Sequence, residues 1–440
     1  MIDAEAARNG KLLELIFAET GNGIPDQPSQ SGFLALAHAG KEVWNTWRQS
    51  WPMPEGHSIA WPFVDFSNCH FDEELDFNGF EFGDFANFRG ATFAKKVDFR
   101  NTVFGDTADF IGVSFQEQAQ FENAKFGADA QFEGAQFAFG ASFSKAQFDR
   151  HASFFGAQFG DDSEFDGASF GEDAQFDGCN WAVLKLRYEE QYLRRKQWAE
   201  DQEMSPHTFE SLSFRGCTFQ GEVNFSNREF LGQATWAPLE GMSTTFNRVP
   251  KFHNCKLHQD TSFDGAKFPA ATGSESAARA YRTMKLASAQ QQATREEQRF
   301  FKLEMAEEHR SVEAPRRWLY SAYALFSDYG FSTWRPSILL LASLLFAWGS
   351  YGWLAGYSVC LPFLSSCAPA REWFEFGLVN AFPLPGLDKY AEGLRSVLFP
   401  PHLHPAAQVL VTTVVIVQKT LSLLAFFLIG LALRNLFKMK

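Results

Sequence analysis

The stretch that decides the fold is residues 121–143, FENAKFGADAQFEGAQFAFGASF. Its phenylalanines recur at intervals that alternate between five and six residues: Phe121, Phe126, Phe132, Phe137 and Phe143. The alternation holds without a break from Phe66 to Phe176, and its next member is Trp181, which makes 22 consecutive positions in one register. An amphipathic helix repeats about every 3.6 residues, so a five/six alternation drifts off one helical face within two repeats.

A second, smaller residue stands two positions before most of these aromatics. It is usually alanine, as at Ala124, Ala130 and Ala135. A fixed apolar pair that recurs in this way is typical of a solenoid, in which each repeat packs only on its neighbours. Because Gly, Asp and Asn lie between the pairs, we predict short extended sides joined by tight corners. The repeat also explains why 50 of 440 residues are phenylalanine.

The segments Ala124-Lys125-Phe126-Gly127-Ala128 and Ala135-Gln136-Phe137-Ala138-Phe139 resemble the pentapeptide-repeat family. The resemblance implies an all-β fold, a right-handed four-sided β-helix in which the central aromatic and the small residue both point inward. Every second side here has six residues, so four sides predict a coil of about 22 residues. The sequence leaves open how the corners absorb the extra residue.

The repeat signal divides the soluble part of the chain into segments. Residues 62–181 form the first solenoid block, and residues 209–270, with Phe209, Phe214 and Phe219, form the second. Between them, 182–208 predicts a charged helical excursion, which is either a binding element or a tolerated insertion.

A solenoid exposes its apolar core at both ends unless other elements cover it. Residues 1–61, with Trp44, Trp47, Trp51 and Trp61, predict an N-terminal helical cap and linker. No basic segment with a cleavage site begins the chain, so we expect the solenoid to stay in the cytosol. Residues 271–314 predict one long polar helix, either a cap or a stalk.

The first block is strongly acidic. Residues 63–181 contain 22 Asp and Glu against 7 Lys and Arg. With Phe and Ala inward, these carboxylates must lie outside. They either solubilise the solenoid and form its corners, or imitate duplex DNA, since the resemblance extends to acidic proteins that inhibit DNA gyrase. A chain of net charge −13 is itself unlike a nucleic-acid binder.

Six cysteines form two groups. Cys69, Cys179, Cys217 and Cys255 occupy the slot otherwise filled by alanine, so we predict small buried groups rather than metal ligands. Cys360 and Cys367 fall in a predicted external loop and are a candidate disulfide pair; the alternative is two thiols.

Two apolar segments predict a transmembrane hairpin over 337–440. Residues 337–359 carry no charge and 406–433 only Lys419, and both are long enough to span a bilayer. Residues 315–336 predict an interfacial helix. In the external loop, 360–405, REWFEFGLVNAFPLPGL predicts a short interfacial helix, with a re-entrant helix as the alternative.

Basic residues flank the outer ends of the hairpin: Arg316, Arg317, Arg335, Arg434, Lys438 and Lys440. The positive-inside rule therefore predicts that both termini are cytoplasmic. The aromatic segment RRWLYSAYALFSDYGFSTWRP and the closing ALRNLFKMK resemble bacterial membrane-anchored pentapeptide-repeat proteins with a two-span C-terminal unit. This resemblance implies a location in the bacterial inner (plasma) membrane.

Polar and small residues inside the spans are the candidate functional positions. Lys419 lies near the middle of its span, and an intramembrane charge indicates function by default. In a homo-oligomer, Gln418 and a ring of Lys419 would line a pore that favours anions. Gly349, Gly352 and Gly356 give the first span a small-residue face suited to helix packing.

No motif for catalysis or cofactor binding occurs, including GxxxxGK[ST], GxGxxG, GxSxG, HExxH and CxxC. We therefore predict a non-enzyme with no cofactor and no metal site. Three functions remain: a membrane-tethered interaction scaffold for a cytosolic protein partner, a homo-oligomeric ion-conducting pore, and a DNA-mimicking gyrase-binding protein. The expected partners are the lipid bilayer, further copies of the chain and a cytosolic protein, with nucleic acid disfavoured.

Overall fold

The aromatic repeat folds into a four-sided parallel β-solenoid. The computed structural model describes residues 30–50, 63–179, 183, 206–290, 292–354, 370–382, 386–400 and 405–437. The chain forms two units, Met1–Glu307 and Glu308–Lys440, and the solenoid belongs to the first.

Each side of the solenoid is a stack of strands two or three residues long that pair in parallel. The first side contains β1 His70–Phe71, β4 Thr92–Phe93, β7 Ser114–Phe115, β11 Gln136–Phe137 and β14 Gln158–Phe159, and then β18 Thr208–Phe209 and β22 Glu229–Phe230. The second contains β2 Leu75–Asp76, β5 Val97–Asp98, β8 Ala119–Gln120, β15 Ser163–Glu164, β19 Leu212–Ser213 and β23 Ala234–Thr235. The third contains β3 Glu81–Gly83, β6 Val103–Phe104, β9 Lys125–Phe126, β12 Gln147–Phe148, β16 Ser169–Phe170, β20 Thr218–Phe219 and β24 Thr245–Phe246. The fourth contains β10 Ala130–Gln131, β13 His151–Ser153, β17 Asp173–Gln175 and β21 Glu222–Asn224.

Stacked phenylalanines form the core. In the first block, paired strands lie 22 residues apart, as in Gln136↔Gln158, which confirms the predicted coil. The Phe143 ring lies 4.7 Å from that of Phe121 and 4.8 Å from that of Phe165, nearly parallel to both. Phe143 and Ala141 are both fully buried, so the aromatic and the small residue point inward as predicted.

Left-handed backbone at every eleventh residue turns the chain at one kind of corner. These residues have φ between 55° and 73°, and all but one are Asn or Gly: Asn68, Gly79, Gly90, Asn101, Gly112, Asn123, Gly134, Lys145, Gly156 and Gly167. Asn and Gly adopt this conformation at least cost. The other kind of corner lies in the six-residue intervals and contains the extra residue. Four corners of this kind also contain a left-handed non-glycine residue: Phe85, Thr107, Asp129 and Asp162.

Two insertions interrupt the regular coil without ending the stack. Ser163 pairs with Leu212, 49 residues on, because the chain leaves the solenoid after 179 and re-enters at 206. Phe209 re-enters on the Phe159 column, with ring centroids 5.7 Å apart. Trp181, which the sequence placed on this column, and most of the predicted 182–208 excursion lie outside the described residues.

The second insertion adds five residues where the sequence lacks an aromatic at Gly241. Phe219 pairs with Phe246, 27 residues on. The added residues form a tight turn in which the backbones of Leu239 and Met242 exchange two hydrogen bonds of 2.8 Å. The turn leaves the column intact, since Trp236 still stacks on Phe263 at 4.6 Å.

Two helices, α1 Gln30–His38 and α2 Lys41–Ser50, cover the N-terminal end of the stack. Trp44 is fully buried against Phe80 and Phe82, with ring centroids 5.3 and 5.2 Å away. The Asn45 side chain donates to the Gly79 carbonyl and accepts from the Glu81 N–H. It thus pairs backbone groups that the first coil would leave without a strand partner. Trp47 is buried too, whereas Trp51 and Trp61 lie outside the described residues.

Two helices, not one, follow the second block. The sequence predicted a continuous helix over 271–314, but the structure has α3 Glu275–Gln290 and α4 Thr294–Ser311, with Gln292 left-handed between them. The break lets α4 fold back so that buried Glu304 accepts from Arg282 and Lys285 at 2.7 and 2.5 Å. Folding back also buries Phe300 against Phe263 and Phe268, which covers the last coil.

The second unit is helical: α5 Arg316–Ser327, α6 Trp334–Leu354, α7 Ala370–Ala381, α8 Leu387–Leu398 and α9 Pro405–Phe437. Helices α6 and α9 are long and apolar enough to cross a membrane, with mean hydropathies of 1.5 and 2.2. The predicted interfacial helix over 315–336 is shorter than expected, because α5 ends at a left-handed Asp328 and α6 already begins at Trp334.

Candidate functional site

Most outward carboxylates of the solenoid have structural partners. Six described Asp or Asn side chains accept the backbone N–H two residues on, at 2.9–3.0 Å: Asp65, Asp76, Asn87, Asp98, Asp109 and Asn224. Others pair with bases of adjacent coils, as in Arg89–Asp109 at 2.7 Å and Lys95–Glu117 at 3.0 Å. These contacts favour the corner role of the acidic residues over a display of free charge.

One corner column differs, because it exposes an aromatic ring among carboxylates. Phe139 is 61% exposed and follows its buried neighbour Phe137 by two residues. Asp161 and Asp162 are exposed at the same corner one coil later, and Glu210 follows at the next. Burial and the nearby Asp161 charge raise the pKa of Glu210. We call Phe139, Asp161, Asp162, Glu210 and the exposed Leu231 of the next coil the Phe139 corner.

Arg228 occupies a slot that holds a small residue elsewhere in the stack. It stands two residues before Phe230 and is 1% exposed. Its guanidinium donates to four carbonyl oxygens at 2.6–3.2 Å, those of Phe176, Ala157, Pro206 and Phe154. It also lies 4.1 Å from the ring centre of Phe209.

The position of Arg228 follows from the first insertion. In regular coils the N–H three residues after the aromatic donates to its carbonyl, but Cys179 N–H donates to Pro206 instead. The carbonyl of Phe176 is therefore left to Arg228. Burial lowers the pKa of Arg228 to about 9, so the side chain remains a cation at neutral pH. No sequence motif marked this residue; its only signal was a charge in an alanine slot.

A groove of about 690 Å³ opens over this insertion and includes Cys179, His207 and Cys255. Burial raises the pKa of Cys255 to about 11 and that of Cys217 well above its usual value. Both are therefore thiols at neutral pH and poor nucleophiles. The four described cysteines carry no disulfide, and of the predicted small buried groups only Cys217 is fully buried, since Cys69, Cys179 and Cys255 are half-buried. Cys360 and Cys367 lie outside the described residues.

Gln418 is a buried helix-packing residue rather than a pore lining. It is 1% exposed, accepts the Tyr351 hydroxyl at 2.8 Å and donates to the Gly377 carbonyl at 2.6 Å. These bonds join α6, α7 and α9. The side chain therefore cannot face a lumen in this arrangement.

Lys419 is paired within the chain. Its Nζ lies 2.7 Å from Oδ1 of Asp388 on α8, and the two side chains are 45% and 78% exposed. Helix α7 lies beside the middle of α9, since Gly377 reaches Gln418 and the Phe382 ring lies 5.2 Å from that of Phe426. The loop helix is therefore packed against α9 within the helical unit.

The glycine face of the first span is only partly used. A Cβ on Gly352 would lie 3.3 Å from the Trp373 ring of α7, whereas nothing lies within 4 Å of a Cβ on Gly349; Gly356 lies outside the described residues. Helices α6 and α9 instead meet through other small residues. Ser343 and Ser422 are buried with hydroxyls 3.4 Å apart, a small-residue contact that the sequence also contained.

Within the described ranges, no three His, Cys, Asp or Glu side chains are grouped to hold a metal ion. Residues 99–147 match a family model described as pentapeptide repeats, in 9 copies. Neither the curated proteins nor the solved structures include a match to the chain.

Proposed function

Because the solenoid of this chain belongs to the pentapeptide-repeat family, we propose that the protein is a membrane-anchored, non-enzymatic interaction scaffold. The single observation that carries this proposal is the Phe139 corner. Large exposed aromatics on an otherwise polar surface mark protein contacts. Both ends of the stack are covered by the chain's own helices, so a partner would meet the sides of the solenoid.

The chemistry of the corner defines the partner. Phe139 offers a flat apolar anchor, and Asp161, Asp162 and Glu210 surround it with negative charge. A complementary segment carries Lys or Arg around an apolar side chain, since opposite charges align the two surfaces. We propose a basic segment of a cytosolic protein, bound by a chain that is held in the bacterial inner membrane with both termini in the cytoplasm.

Site-specific photocrosslinking in cells tests the scaffold. A photoreactive phenylalanine at position 139 is expected to capture a discrete adduct, and Asp161→Asn with Asp162→Asn is expected to reduce its yield at least five-fold. The same photoreactive residue at Val103, which is 39% exposed on the third side, serves as the control. The proposal would be contradicted by equal adduct yields at positions 139 and 103, or by a yield at position 139 that does not change when the two aspartates are replaced.

A pore is the second candidate, and the α7–α8 helices beside α9 favour it. Because Lys419 and Asp388 neutralise each other, we expect Lys419→Leu to shift permeability toward cations and Asp388→Asn to shift it toward anions. The measurement is the reversal potential of full-length protein in planar bilayers under a salt gradient. Shifts of the same sign in both variants, or no unitary current in any of them, would rule the pore out.

A further inference from the structure

Helix α8 is amphipathic, and its polar side is exposed. Toward the bundle it presents Leu387, Ala391, Leu394 and Leu398, at helical spacing. On the opposite side four polar residues are exposed: Asp388, Lys389, Glu392 and Ser396.

This helix lies along α9, not across it. Three contacts run antiparallel in a constant register: Asp388 with Lys419 at 2.7 Å, Arg395 with Thr412 at 2.6 Å, and the Phe399 carbonyl with Gln408 at 3.0 Å. They extend from residue 408 to residue 419 of α9, which is about 16 Å of its axis. A helix lying flat on a membrane surface would touch α9 over about one turn. Helix α8 therefore occupies the same depth as the outer half of α9.

The contacts of α6 with α9 indicate that this depth of α8 lies within the apolar layer. It also runs antiparallel to α9, through Ser343 with Ser422 and Tyr351 with Gln418. The Lys419–Asp388 pair thus lies beside both apolar helices. A charged side chain that faces hydrocarbon near the bilayer centre is strongly unfavourable, so the exposed, charged side of α8 is not compatible with lipid.

We infer that α7 and α8 form a re-entrant hairpin, and that the exposed side of α8 lines a water-filled space enclosed by further copies of this chain. The inference rests on the proposed membrane anchoring. One copy cannot enclose the space, because Asp388 and Lys419 are on its surface. Further copies satisfy both charges, since each presents an acid and a base that can pair reciprocally across a symmetric contact.

Lipid instead contacts the apolar side of α9. Ile416, Leu423 and Phe427 are 60%, 59% and 67% exposed and carry no polar group. Ile416 lies opposite position 391 of α8 in the same register, so the two surfaces differ in chemistry at the same depth. The lining assigned by this geometry is Asp388, Lys389, Glu392 and Ser396, with Lys419 at its inner end and Gln418 excluded.

Cysteine accessibility in the full-length protein separates the two surfaces. The six native cysteines are first replaced by alanine, which already fills most of the solenoid slots. Single cysteines are then introduced by Glu392→Cys and Ser396→Cys on α8, and by two changes on α9: Ile416→Cys, which is matched in depth to position 392, and Leu423→Cys, which lies deeper. A membrane-impermeant charged methanethiosulfonate is applied to spheroplasts, and the remaining thiols are counted after denaturation.

We expect the thiol of the Glu392→Cys variant to react within about ten-fold of the rate of the Ser396→Cys variant, and the two α9 variants to react at least 100-fold more slowly. Oxidation in the membrane is expected to join two copies of the Glu392→Cys variant by a disulfide. Protection of position 392 equal to that of position 416 would overturn the water-filled lining, and a protein that stays monomeric and uncrosslinked would overturn its enclosure by copies. Carbonate extraction is run in parallel, because a protein that leaves the membrane would refute the anchoring itself.

Discussion

Replacing Arg228 by alanine is expected to destabilise the solenoid by about 3–5 kcal/mol, although alanine is the residue that the slot normally holds. The guanidinium donates to four carbonyls at 2.6–3.2 Å and is 1% exposed. Its removal takes a donor from all four carbonyls, of which those of Phe154 and Pro206 keep a backbone N–H donor. A buried acceptor left without a donor costs about 1–3 kcal/mol. In a unit of this size the loss corresponds to a fall in Tm of roughly 5–10 °C.

Thermal unfolding of the detergent-solubilised full chain, followed by tryptophan fluorescence, measures the effect. Arg150→Ala is the matched control, because Arg150 makes an exposed ion pair with Glu172 and such pairs contribute about 1 kcal/mol or less. Arg228→Lys is expected to fall between the two, since one ammonium cannot reach four carbonyls. If Arg228→Ala had the same Tm as the wild type, the carbonyls at the break in the coil would not need the Arg228 guanidinium for stability.

The inward register was predictable from spacing alone. A side chain's direction in a stacked coil depends on its place in the repeat, so the five/six alternation determined which rings meet. The corners were also encoded, since every eleventh residue from Asn68 to Gly167 is Asn or Gly, apart from Lys145. What spacing does not encode is the response to an insertion: Arg228 is buried because the excursion leaves the Phe176 carbonyl without its usual donor.

In the helical unit the sequence predicted the long helices but not how they pack on one another. Hydropathy located α6 and α9, but it measures only how apolar each helix is. It does not tell which side of the helix is covered by other helices. The side of α9 that carries Gln418 is covered by α7, a helix of 12 residues that is too short to register as a span. Gln418 therefore packs inside the bundle, while Lys419, one residue on, points about 100° away and reaches Asp388.

Replacing Phe143 by alanine is expected to cost about 3–5 kcal/mol, within the range for deleting a buried aromatic side chain. Its ring is 0% exposed and stacks at 4.7 and 4.8 Å between Phe121 and Phe165. The columns are close-packed, so the neighbouring rings cannot collapse into the cavity without breaking strand pairs on both sides. We expect a Tm at least 5 °C lower, measured as for Arg228.

Comparing Phe139→Ala with Phe143→Ala separates the effect of register from that of residue type, because the two phenylalanines lie four residues apart in one coil. The Phe139 ring is 61% exposed and outside the five/six series, so its loss is expected to change stability by about 0.5 kcal/mol or less. The same variant is expected to abolish partner capture by a photoreactive residue placed at Leu231, which is 46% exposed in the same corner. If Phe139→Ala and Phe143→Ala destabilised the solenoid equally, aromatic content rather than register would hold the stack together. A stable Phe139→Ala protein that has lost its partner would instead separate the residues that build the coil from the one that it presents.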